Sequence, residues 1–213
     1  MLKLSVIALA FFAILMQNFE IETLKKNTLV SSTSVFYRFS CFLVVAVAWL
    51  LFVILSHYFF FQIGDDSFIY FRYVDRAANG HLWSWADYSG AVEGYSSPLW
   101  YLLLVGLDKL GVSVELAARV LGLFFAALTV QLTWLLARHF SLSSHLAGFA
   151  CLLLVLNQGF HYWSTSGLET SLYMALFAAS CLGIVRGKLW LLPTALLAIA
   201  RPEGPFLLLA LLV

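Results

Sequence analysis

From Ser40 to Phe61 the chain carries no Asp, Glu, Lys or Arg. As a helix rising 1.5 Å per residue, this run reaches about 33 Å, enough to cross a hydrocarbon core of about 30 Å. Its flanks differ in charge: Lys25, Lys26 and Arg38 precede it, and Asp65 and Asp66 follow it. Basic residues stay on the cytoplasmic side of a span, so the positive flank is expected inside and the acidic one outside. Composition agrees with a membrane protein. Of 213 residues, 62% are hydrophobic and 11% charged, with a mean hydropathy of +0.93, whereas a soluble domain has about 25% charged residues.

The same rule orders the rest. Leu116–Ala137 ends at Arg138-His139 and runs outside to inside; Ser144–Gln158 returns; Gly167–Val185 goes back in, ending at Arg186 and Lys188. Leu189–Ala200 heads out to Arg201-Pro-Glu-Gly204, and Pro205–Val213 is apolar. The expected fold is therefore all-α, a polytopic transmembrane helical bundle whose extracytoplasmic first loop carries juxtamembrane helices. Residues 1–39 form an N-terminal segment, cytoplasmic or interfacial. Residues 40–213 form the membrane domain, with residues 62–115 as the extracytoplasmic loop. Within 1–39, Leu4–Met16 is apolar but short, and fits a poor signal peptide, an interfacial helix or an upstream extension.

In the loop, Asp65 is expected to cap a helix from Asp66 to Asn79 that Gly80 stops. Arg72, Asp75, Arg76 and Asn79 make one stripe, with Phe68, Phe71, Val74 and Ala78 on another side, as in a helix lying in the membrane interface. His81–Ser97 is irregular and rich in Gly, Ser and Trp. Pro98–Leu110 opens on a proline suited to a first turn and is too short to span.

Several chemistries are disfavoured. A net charge of +1 leaves no basic excess for nucleic acid. Cys41, Cys151 and Cys181 lie inside apolar runs without a CxxC pair, as buried small hydrophobes do. The histidines show no ligand spacing on one helix face. Gly183–Lys188 lacks the spacing and the Ser/Thr of a phosphate-binding loop. What remains is a gathering of ionisable groups. The topology brings Asp65, Asp66, Glu93, Arg119, Glu169, Arg201 and Glu203 from separate segments to one membrane face, which is a functional-site signal.

Four motifs occur in order: Asp65-Asp66-Ser-Phe-Ile, Glu93-Gly-Tyr-Ser-Ser-Pro-Leu-Trp100, Gly167-Leu-Glu-Thr170 and Arg201-Pro-Glu-Gly204. With them the chain, over Ser40–Val213, resembles the N-terminal part of a C-type (GT-C) polytopic glycosyltransferase. Within that class it is most similar to the bacterial arabinofuranosyltransferase-like proteins, such as the mycobacterial terminal arabinosyltransferases. Glu115–Arg119 matches the Glu-x-Ala-Ala-Arg start of the next span. Such enzymes are longer, so this chain is expected to be a fragment, a truncated product or a stand-alone half.

The resemblance implies transfer of a sugar from a polyprenyl-phosphate donor to an extracytoplasmic glycan, lipid or protein, in cell-envelope synthesis at the bacterial inner membrane. It places the general base on Asp65 with Asp66 in support. Glu93, Tyr95, Glu169, Arg201 and Glu203 are expected to bind substrate, Arg201 by forking onto the donor phosphate. Asp65 and Asp66 would also suit a divalent cation, Mg²⁺, Mn²⁺ or Ca²⁺, although nothing in the spacing demands one. The plain structural roles are a helix cap for Asp65, a solvated loop acid for Glu93, an interfacial pair for Arg201 and Glu203, and membrane anchoring for Trp83 and Trp85. The competing functions are a transporter or flippase-like half, and a catalytically silent accessory subunit.

Overall fold

The computed structural model describes residues 32–212 except Ser89, Glu93, Lys188 and Leu189, and leaves aside the side chains of 32–39, 208, 211 and 212. The expectations for Leu4–Met16, Lys25, Lys26, Lys188 and Glu93 lie outside the described residues. Those residues are all-helical: α1 Ser32–Phe59, α2 Ser67–Ala78, α3 Pro98–Lys109, α4 Val114–His139, α5 Ser144–Leu156, α6 Gln158–Thr165, α7 Thr170–Arg186, α8 Leu191–Ala200 and α9 Gly204–Leu212. The first helix begins at Ser32, upstream of the expected boundary at 39/40.

Among the described residues, two helices are long and apolar enough to cross a membrane: Ser40–Phe59, with mean hydropathy 2.4, and Val114–His139, with 2.0. The pair α5 and α6 qualifies only if counted as one span bent by 64°. Local chemistry sets where the other helices stop. Asn157 ends α5, and its side chain accepts from Phe160 N–H at 3.2 Å to start α6. The break is stabilised from outside: His161 Nε2 donates to the Val155 carbonyl at 2.6 Å, which leaves Nδ1 to accept from the Ser56 hydroxyl at 3.0 Å. Gly187, left-handed with φ 63°, caps α7 after 17 residues, and α8 has only 10 before Arg201 turns extended.

Small residues let the long helices close on one another. Val45, Ala48, Trp49 and Phe52 of α1 pack with Ala126, Ala127, Val130 and Trp134 of α4 and with Ala147, Cys151 and Val155 of α5. A Cβ added at Gly122 would collide with the Ser164 carbonyl oxygen, so α4 and α6 meet backbone to backbone. A second core joins α2 and α3 to the start of α4 and to Leu172, around Tyr70, Tyr73, Val74, Trp100, Tyr101, Leu104, Ala117 and Ala118.

That second core settles how α2 lies. Its apolar side is spent on α3, and Arg76, expected on the polar stripe, is buried instead, while Phe68 and Ala78 are exposed. Arg76 turns inward because its guanidinium ties down the following loop, Nη1 to Asp87 Oδ1 at 2.6 Å and Nη2 to Ser84 Oγ at 3.1 Å.

The helix ends sort by charge. The end of α1, the starts of α4 and α7 and the end of α8 meet where α2, α3 and the loop lie. Ties there include Thr165 Oγ1 to the Phe59 carbonyl at 2.9 Å and the Arg119 guanidinium 5.4 Å from the Phe60 ring centre. At the far ends of α4 and α7 stand Arg138 and Arg186.

Candidate functional site

The site is seated on the turn Ser166-Gly167. The Ser166 carbonyl accepts from Gly64 N–H at 2.9 Å and from the Ser67 hydroxyl at 2.5 Å. The Gly167 carbonyl accepts from Trp100 Nε1–H at 3.0 Å. Gly167 has φ 90°, and a Cβ there would press on Ser67 at 3.0 Å and Phe71 at 3.3 Å. The glycine thus permits both the turn and the close approach of α2. One turn therefore gathers the Asp65-Asp66, Pro98-Leu-Trp100 and Gly167-Leu-Glu169 segments.

Two residues past Gly167, Glu169 is 4% exposed. A carboxylate so buried must be paired and hydrogen-bonded, and three segments supply its partners. Tyr70 of α2 donates to Oε2 at 3.2 Å, and Ser96 of the loop donates to Oε1 at 3.3 Å. Arg201, past α8, brings Nε to 3.4 Å from Oε1. The same Nε lies 3.3 Å from Glu203 Oε1, and the guanidinium carbon stands 5.6 Å from the Tyr173 ring centre. Two carboxylates to one guanidinium leave the triad with a net charge of −1. The Tyr70 oxygen also accepts from Ser97 N–H at 3.0 Å. Burial first, then the Glu169 charge, pushes the Tyr70 phenol far above its usual range, so it remains a neutral donor.

Asp65 and Asp66 are exposed. Asp65 does not cap α2 in the expected way: its Oδ1 accepts from the adjacent Asp66 N–H at 3.1 Å, while the first turn is closed by backbone bonds from Ser67, Phe68 and Ile69 to the Gly64, Asp65 and Asp66 carbonyls. Its other carboxylate oxygen is left for other partners. Among the described residues no three His, Cys, Asp or Glu side chains come together as a metal would require. Asp65 and Asp66 are a two-carboxylate set, which suits an ion that keeps several waters, as Mg²⁺ does.

Of the expected site residues, Glu169, Arg201 and Glu203 converge, and the Asp pair is fastened next to them. Glu93 lies outside the described residues. Tyr95 is buried among rings: it stacks on Tyr101 at 4.8 Å, meets Tyr73 edge-on at 5.0 Å and lies 5.9 Å from the ring of Tyr70, the donor to Glu169. Trp83, at φ 65°, adds to this cluster, 5.4 Å from Tyr101, and is itself exposed. Sequence reasoning missed Tyr70, Ser96 and Tyr173. Their only signal was position, Tyr70 on the inner stripe of α2 with Tyr73, and Ser96 next to the residue that caps α3.

No family model, curated protein or solved structure matches this chain.

Proposed function

We propose that this chain is, or belongs to, a polytopic membrane glycosyltransferase of the GT-C kind. It moves a sugar from a polyprenyl-phosphate donor to an extracytoplasmic acceptor, and its loop end faces away from the cytoplasm of a bacterial inner membrane. The observation that carries the reading is the cluster of the buried Glu169 with Arg201 and the exposed Glu203, fastened beside the exposed Asp65-Asp66 pair at one end of the helices.

In this reading Asp65 accepts the proton of an acceptor hydroxyl, whose oxygen attacks the anomeric carbon of the donor sugar. The bond from that carbon to the phosphate oxygen breaks, and the polyprenyl phosphate departs with the electron pair. The two carboxylates engage Arg201 through Nε, which orients its Nη pair as a fork for the leaving phosphate. Tyr70 and Ser96 hold Glu169, and so act as positioning residues. A divalent cation at Asp65 and Asp66 would supply further neutralisation of phosphate charge. The acids and bases described lie in α2, in the loops or toward the ends of the long helices; a transporter half would bring such groups to mid-depth, so this distribution favours the transferase over a transporter.

The test is transfer from a panel of polyprenyl-phosphate sugars by the chain in lipid nanodiscs. Asp65→Asn is expected to abolish transfer with helicity and melting unchanged, and near-normal turnover in that variant would remove Asp65 from the mechanism. Arg201→Lys is expected to retain the fold and lose most of the rate, since a point charge cannot replace a fork.

A further inference from the structure

A cleft of about 320 Å³ is lined by Phe59, Gln62, Gln158, Gly159 and Tyr162. Its size is at the low end of the roughly 300–1,000 Å³ typical of small-molecule sites. None of its lining side chains carries a formal charge. Two are primary amides, each with a carbonyl acceptor and two N–H donors, and one is a phenol that can donate and accept. Phe59 and Tyr162 add flat ring surface. Such a lining does not suit a phosphate, which needs cations or backbone N–H groups, nor an acyl chain, for which exposed amides are costly neighbours. It suits a ring that bears hydroxyls on its rim and C–H groups on its faces.

Its position ties it to the site already described. Phe59 ends α1, and Gln158 opens α6 where the chain swings 64° away from α5. Gln62 stands three residues before Asp65, so their Cα atoms are within about 11 Å. Tyr162 and the seat of the Asp pair are one rigid piece, because the Tyr162 carbonyl accepts from Ser166 N–H at 2.9 Å and the Ser166 carbonyl in turn holds Gly64 and Ser67.

We propose that this cleft binds a neutral saccharide ring, held by Gln62, Gln158 and Tyr162, and that it is the acceptor side of the site. The acceptor role rests on the transferase reading; the binding does not. The saccharide comes either from a soluble glycan or from the headgroup of a neutral glycolipid.

The experiment is saturation-transfer NMR on the full chain in phosphatidylcholine nanodiscs, with soluble neutral trisaccharides of glucose, galactose, mannose and arabinose. A second arm adds a neutral diglycosyl diacylglycerol to the nanodiscs and asks whether it displaces the trisaccharide or leaves it bound; displacement assigns the cleft to the glycolipid. Gln62→Ala/Gln158→Ala is expected to weaken binding by about tenfold or more, from the loss of several neutral hydrogen bonds. Both glutamines are exposed, so the fold should survive; Tyr162→Phe, which keeps the ring, gives a second variant with a smaller loss. Inorganic phosphate should not compete. Binding that is unaffected by both the double variant and Tyr162→Phe, competition by phosphate, or no binding of any trisaccharide or of the glycolipid would overturn the proposal. Amide-dependent binding without sugar transfer sinks the transferase reading alone, and transfer indifferent to the amides sinks the cleft alone.

Discussion

At the scale of single residues, Glu169 shows how burial converts a short motif into a junction. Its carboxylate is the point at which α2, the loop before α3 and the segment after α8 meet, through Tyr70, Ser96 and Arg201. Glu169→Gln keeps the shape and removes the charge. It is expected to cost about 1–3 kcal/mol, because hydrogen bonds to a buried charged group are the valuable ones, and to leave Arg201 paired with Glu203 alone. Thermal unfolding in nanodiscs reads the loss, with Glu203→Gln, at an exposed carboxylate, expected to change much less. The Arg76–Asp87 pair makes a pH prediction. Arg76, by hydrogen bond and by charge, holds the Asp87 carboxyl below its usual range. A folded-state pKa below the unfolded one contributes stability above the ordinary carboxylate range, and that contribution is lost as pH falls through the folded value. Fluorescence of Trp83 and Trp85 should therefore differ between the parent and Asp87→Asn at neutral pH and coincide in acid; a difference that persists in acid would break the link. That Glu169, Arg201 and Glu203 belonged together was legible because each stands at the same end of a predicted helix. Their donors Tyr70 and Ser96 were not, since a hydroxyl's partner follows from packing and leaves no periodic trace.

At the scale of elements, the contact of α4 with α6 depends on an absent side chain. Gly122→Ala would put a methyl group into the Ser164 carbonyl. Such overpacking costs about 1–3 kcal/mol, and the melting temperature should drop accordingly. Gly106 of α3 is the matching control, since a Cβ there meets nothing within 4 Å. Gly106→Ala should be neutral or stabilising by about 0.5–1 kcal/mol, the helix preference of alanine over glycine. Equal effects at the two positions would mean that α4 and α6 do not touch in the membrane. The break between α5 and α6 was invisible beforehand, because Ser144–Gln158 reads as one apolar run. It is set by the Asn157 side chain and by His161, which satisfies the Val155 carbonyl that the break sets free. The proline that opens α3 and the basic ends of α4 and α7 were legible, because caps and terminal charges act within one turn.

At the scale of the whole molecule, the orientation proposed above makes a further prediction. Ala91→Cys in the loop and Ser141→Cys after α4 are both at exposed positions. A membrane-impermeant thiol reagent should label the first from outside and reach the second only after permeabilisation. The reverse pattern would invert the chain, and labelling of both from outside would refute the span assigned to Val114–His139. The sequence by itself determined that the chain is helical, that the runs Ser40–Phe61 and Leu116–Ala137 are long and apolar enough to cross a membrane, and that charge is sorted between helix ends. Those properties are carried by runs of neighbouring residues, where hydropathy and capping are decided locally. Only the tertiary structure decided that Arg76 turns inward, that Tyr95 stacks on Tyr101, and that Tyr70 meets Glu169 across 99 positions of chain. Those pairings are chosen by which helix faces can close on one another, through the small residues at Gly122 and Gly167, and that choice is a property of the whole assembly of helices.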